Sequence, residues 1–185
     1  MDYLQLWDRW AAQTTLSEND RRAMVDSLHE EVVTGVQALA GLAVGEMGKL
    51  LEEAKYDKQE AYIAAVMPVV ALAALDGYLL FLMEEKINPL TANLAANDKT
   101  KGLGQAWSKK YQTDQNASYL SKADQIVGLL LGKIHELRVN QALSFHPEIV
   151  ELPYKTTEKL HQYIGWAVRQ GYVLGRMEKE LSAHG

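Results

Sequence analysis

The chain contains no cysteine, which excludes disulfides, thiolate zinc sites, iron–sulfur clusters and cysteine nucleophiles at once. It fits a reducing compartment such as the cytoplasm. Proline is scarce, with four residues, all between positions 68 and 153, and phenylalanine occurs only twice. Scarce proline beside abundant Ala, Leu, Glu and Gln favours helix. The N-terminus, MDYLQLWDRWAAQ, has early acids and no apolar core segment, so it does not read as a secretory signal. No strand-type alternation is convincing; Ile149 to Tyr154 is the only short candidate.

Charge is uneven. Residues 1–60 hold 12 acids and 6 bases, whereas the other 125 hold 12 acids and 13 bases. An acidic first third argues against a nucleic-acid footprint there; it could complement a basic partner, but a solvated helix face is the commoner explanation. With 185 residues and 48% apolar content, the chain reads as one globular domain, 1–185, able to bury a core without staples.

What is present in quantity is one apolar run, Ala61 to Met83, carrying a single charge at Asp76. A helix apolar all round must be enclosed by protein or by lipid. Asp76 within it, Pro68 interrupting it and acidic flanks (Glu60, Glu84, Glu85) argue against a bilayer. Six alanines suit close packing, so the run is expected as the central helix, about 61–85, of a soluble all-α bundle of five to six helices. Pro68 either kinks it or opens a new helix.

Amphipathic segments flank this run. Helix one is expected over Tyr3–Ala12. A second starts near Ser17 and runs toward Tyr56 through Gly35, Gly41, Gly45 and Gly48. Four glycines imply close helix contact or a break near Gly41–Gly48. Residues 90–117 are polar and weakly periodic, and read as an excursion or flexible insertion with room for a short helix around Ala106–Tyr111. Ser118 or Ser121 caps a helix to about Ala142, with stripes Ile126-Leu130-Ile134-Leu137 and Val127-Leu131-Val139. Thr156 or Thr157 caps the last, with core line Leu160, Ile164, Ala167, Leu174, Met177 and Leu181.

Chemistry is harder to find. Di-metal carboxylate bundles use Glu-x-x-His on two helices plus a lone Glu on two others, because that spacing puts carboxylate and imidazole on one face. Glu158-x-x-His161 fits, Asp26-x-x-His29 fits with aspartate, and Glu46 and Asp76 are the lone acids available. Gly45–Glu53 followed by Ala73–Leu82 also resembles the all-α nucleotide pyrophosphohydrolases of the MazG type. Their magnesium site is Glu-x-x-Glu on one helix and Glu-x-x-Asp on the next. Glu46 and Asp76 match one acid of each pair, while Lys49 and Ala73 stand where the partner acids belong. That resemblance implies a metal-dependent enzyme, but two carboxylates around a lysine supply few oxygen ligands for magnesium. Asp76 is expected to bond to a Tyr, Trp or helix terminus or to be exposed at the helix edge, or else to form part of a site with a raised pKa. His135 reads as a satisfied core histidine. Gly41–Gly45 and Gly171–Gly175 have the spacing that lets helices approach closely. No phosphate-cradling loop or C-x-x-C occurs.

The composite expectation is a non-catalytic, cytoplasmic, bacterial-type interaction protein with no cofactor and neither nucleic acid nor membrane as partner. Its partner is a protein or a second copy of itself. Tyr163, Trp166 and Tyr172 on the last helix, with Trp7 and Trp10 on the first, are the interface candidates, because aromatics are favoured in interface cores.

Overall fold

A computed structural model describes residues 30–85, 109 and 125–183. These residues are helical, with no strand among them: α1 (Glu30–Glu53), α2 (Gln59–Glu84), α3 (Gln125–Phe145) and α4 (Tyr154–Ala183). A 3-10 turn, Pro147–Glu151, joins α3 to α4 and buries Ile149. It takes Ile149 to Glu151, the first half of the segment where the sequence offered a strand, and Tyr154 opens α4. Helix one, the Ser17 start and the 90–117 excursion lie outside the described residues, except that Lys109 is helical and exposed.

The apolar run forms one helix, as its composition predicts. Pro68 neither breaks it nor starts a new one; it lies inside α2, at an exposed position. A proline there forgoes one backbone hydrogen bond and crowds the preceding turn. The remainder of the helix compensates by burial, since every residue from Ala73 to Leu82 is buried. Among the described residues this is the one helix long and apolar enough to cross a membrane, and 67% of its most apolar window is covered by the rest of the molecule.

α1 runs unbroken through its glycines. Val32, Val36, Leu39, Ala43, Met47 and Leu51 bury one stripe, the spacing of an amphipathic helix. Only Gly35 is in close contact: a Cβ there would lie 2.9 Å from Leu174 Cδ2, while Gly41 and Gly45 face open space. The helix stops in a Schellman turn. Lys55 takes a left-handed φ of 55°, and the amides of Lys55 and Tyr56 donate to the carbonyls of Glu52 and Leu51, both at 3.0 Å.

α2 touches each of the other three helices, and its largest contact is with α4. Glycine makes that crossing. A Cβ on Gly77 would lie 1.9 Å from the Val168 carbonyl oxygen, and one on Gly171 would lie 1.8 Å from that of Ala74. No methyl group fits at such a separation, so the two backbones are in direct contact. Of the two G-x-x-x-G spacings, 171–175 is used for close approach and 41–45 is not.

α3 buries Val127, Leu130, Leu131, Ile134 and Ala142. Leu137, expected on a buried stripe, is 43% exposed and Leu129 is 59% exposed. α4 begins at Tyr154, before both expected caps. The Thr157 hydroxyl donates to the Tyr154 carbonyl at 2.9 Å within the first turn. Its predicted core line is buried from Leu160 to Met177. Val168, Tyr172 and Val173, expected outside that line, are buried too. α4 touches α1, α2 and α3, so more than one of its faces is covered.

Candidate functional site

Asp76 is held by a partner the sequence did not suggest. Its two carboxylate oxygens accept from Arg138 of α3, with Nε to Oδ2 at 2.5 Å and Nη2 to Oδ1 at 3.0 Å. Both side chains are nearly inaccessible, at 5% and 6% exposure. Arg138 also donates from Nη1 to Gln141 Oε1 at 2.7 Å. A bidentate guanidinium–carboxylate pair is the arrangement that satisfies two buried charges together. It commits the Asp76 oxygens to α3.

A second polar cluster lies toward the C-terminal ends of α2 and α4. The buried Tyr78 hydroxyl donates to Glu178. Burial, and then the Glu178 charge, push the Tyr78 phenol far above its ordinary range. The Tyr172 hydroxyl donates to Glu84, and Arg176 donates to the Glu84 carboxylate at 2.9 Å and to the Tyr172 oxygen at 2.7 Å. Burial first, and then the bond to Glu84, raise the Tyr172 phenol as well. The Arg176 guanidinium lies 5.3 Å from the Tyr172 ring centre, within cation–π range. Lys179 completes the end by pairing with Glu85 at 2.5 Å. Each polar group joins α2 to α4, so the cluster locks the helices beyond the glycine crossing.

At the opposite end, the turn after α1 is tied to the 3-10 turn. The Tyr56 hydroxyl donates to Glu148 at 2.9 Å, Lys58 lies 3.7 Å from the same oxygen, and His146 Nδ1 lies 3.3 Å from it. The Glu148 carboxyl is held down to about 2, first by its own backbone amide and then by Tyr56.

The candidate metal residues that are described, Glu46, Asp76, Glu158 and His161, do not gather in one place. Glu46 is exposed on α1, where it accepts from Lys49 at 3.0 Å, while Asp76 is inside, on Arg138. Glu158 is exposed. His161 is half-buried beside His135, whose Nε2 lies 2.8 Å from the His161 carbonyl oxygen. That bond satisfies His135 as the sequence predicts. Burial and then His135 depress the His161 imidazole, and its buried Nε2 lacks a hydrogen-bond partner. Asp26 and His29 lie outside the described residues. Among the described residues no three His, Asp or Glu side chains gather where they would hold a metal ion.

The interface candidates divide. Tyr172 is fully buried, so it is a core residue tied to Glu84 and not a surface aromatic. Trp7 and Trp10 lie outside the described residues. Tyr163 and Trp166 are part-buried and line a groove of about 710 Å³ between α1 and α4. Glu46, Lys49, Leu50 and Glu53 supply its α1 side; Lys159, Gln162 and Arg169 join the two aromatics on its α4 side. The residues at 159, 162, 163, 166 and 169 recur at three and four, so they project from one face of α4. Lys49 is shared between the Glu46 carboxylate and the field of Tyr163; the bond to Glu46, foremost, raises its ammonium.

No family model, curated protein or solved structure matches the chain. The functional reading therefore rests on the groove and on the way the acids are tied up.

Proposed function

We propose that the chain is a non-catalytic helical interaction protein, cytoplasmic and acting through protein–protein contacts, with the α1–α4 groove as its contact surface. The four described helices are then the core of a single-domain bundle of five to six. The observation that carries this reading is the groove itself. It combines two part-buried aromatics with charges of both signs, the composition of an apolar interface core within a polar rim. Asp76, the acid best placed for chemistry by sequence, supports the same reading, because both of its oxygens are occupied by Arg138.

The test is affinity capture from the native host with the full chain as bait, beside a Tyr163→Ala/Trp166→Ala variant. A partner, or a second copy, held by the native chain and lost with the variant is the expected result. Equal capture by both would remove the groove from the reading. Magnesium-dependent release of pyrophosphate from nucleoside triphosphates, abolished by Glu46→Gln, would replace the reading with the pyrophosphohydrolase one.

A further inference from the structure

The charges around the groove are sorted by helix. Its two acids, Glu46 and Glu53, both come from α1, while Lys159 and Arg169 both come from α4. The helices run antiparallel, since Gly35 meets Leu174 near one end while the residues at 46–53 face those at 159–169. Glu53 therefore shares one end of the groove with Lys159, and Glu46 is nearer the Arg169 end. Each end carries an acid on the α1 side and a base on the α4 side. No ion pair joins these residues across the groove. Lys49 is the one base on the α1 side, and it already pairs with Glu46.

That pattern is complementary to itself. A two-fold axis parallel to the groove exchanges the sides while keeping the ends level. Every acid then meets a base of the other copy. Resting on the interaction reading above, we infer that the occupant of the groove is a second copy of this chain, with α4 of each copy seated in the groove of the other. A shared patch used by both subunits is the rule for two-fold dimers. Glu53 pairs with Lys159 of the second copy, and the reciprocal pair forms across the axis. Tyr163 and Trp166 meet their counterparts at the seam. The exposed ion pairs set orientation, while the affinity comes from the aromatics, because solvated pairs add little by themselves.

The arrangement makes a specific demand on paired charge reversals. Glu53→Lys alone sets lysine against Lys159 of the other copy, and Lys159→Glu alone sets glutamate against Glu53. Each single variant should dimerise about tenfold more weakly than the native chain, like charges being costly at an interface. Mixing the two variants restores opposite charges at both positions, so the mixture should return to native affinity as a heterodimer. Sedimentation equilibrium of the full chain measures all four samples. Both changes are at exposed positions, so folding is retained, and circular dichroism verifies it. A native chain at 20.7 kDa throughout the micromolar range, or single variants that dimerise as well as the native chain, would overturn the inference, as would a mixture no tighter than its components. A photo-crosslinking p-benzoylphenylalanine replacing Gln162 in the native host separates this from the broader reading. A product at twice the chain mass is expected. Products of other masses alone would overturn self-pairing and leave the interaction reading standing, and no product would overturn both.

Discussion

Arg138 shows how a single residue can be missed while its partner is noticed. Asp76 is conspicuous as the one charge in an apolar run, yet the bonds expected for it were to Tyr, Trp or a helix terminus. The signal for Arg138 lay in its own helix. It follows Val127, Leu130, Leu131 and Ile134 at helical spacing and precedes Ala142, so it is a lone base on a buried stripe. A lone acid and a lone base on two buried faces are each other's most economical partners, although 62 positions apart. Removing one leaves the other charged and unsatisfied in the interior. Arg138→Met should therefore destabilise the protein by about 3–5 kcal/mol in denaturant titration. The double variant Asp76→Leu/Arg138→Met should recover most of that loss. A single variant within about 0.5 kcal/mol of the native chain would show that the pair contributes little.

Titration is also a residue-scale matter. Glu148 is depressed in the folded protein from 4.5 to about 2. A depressed carboxyl contributes stability that is full above its unfolded value and lost as the pH falls through the folded one. Tyr62 is the opposite case, raised from 10.0 to about 12 by burial first and then by Tyr56. Its contribution is full below the unfolded value and disappears as the pH rises through about 12. Glu148→Gln should thus flatten the acid arm of the stability profile, and Tyr62→Phe the alkaline arm. Urea midpoints measured across pH check both, and unchanged slopes would contradict the assigned environments.

Among the elements, the glycines divide into two populations with opposite expected responses to alanine. At Gly77 and Gly171 the added methyl meets backbone, which cannot give way without separating α2 from α4. Overpacking of that kind costs about 1–3 kcal/mol or more. At Gly41 and Gly45 the methyl meets nothing, and alanine in a helix interior is favoured by about 0.5–1 kcal/mol. Thermal unfolding of the four alanine variants should therefore move the melting temperature down for the first pair and up for the second. The same shift in all four would contradict the packing described. The two G-x-x-x-G spacings are indistinguishable in sequence, because what separates them is which face of each helix meets a neighbour. Likewise Tyr172 resembled a surface aromatic, and Val168 and Val173 fell outside the core line of an amphipathic helix with one buried face. They are interior because α4 touches three helices. Helix type and the line from Leu160 to Met177 were legible from period alone; the number of neighbours was not.

For the whole molecule, the legible part was a helical protein with its most apolar segment enclosed. The groove was half legible: Tyr163 and Trp166 were visible as excess aromatics, but the α1 side that completes it required knowledge of which helices run side by side. If α2 is a core helix and no tight metal site exists, the purified full chain should remain in the aqueous fraction without detergent. It should also carry sub-stoichiometric iron, manganese and zinc by elemental analysis. Recovery only with membranes would sink the core-helix reading. One metal equivalent per chain, lost on Glu158→Ala or His161→Ala, would instead make the His161 neighbourhood a metal centre.

The glycine crossing sets an order of events during synthesis. Gly77 leaves the ribosome 94 residues before Gly171, an interval of about 5–20 seconds at ordinary elongation rates. Until the chain reaches Tyr154, 77 residues after Gly77, a helix long and apolar enough for a bilayer has no α4 to cover it. For the first 61 of those residues Arg138 is also still to come, so Asp76, two-thirds of the way along that helix, is without its partner. An unpaired acid within a span opposes insertion, by about 2.5–3.5 kcal/mol where it lies at the centre and by less toward the ends. The side chain that anchors α3 in the folded protein is thus the one that disfavours lipid while its partner is missing.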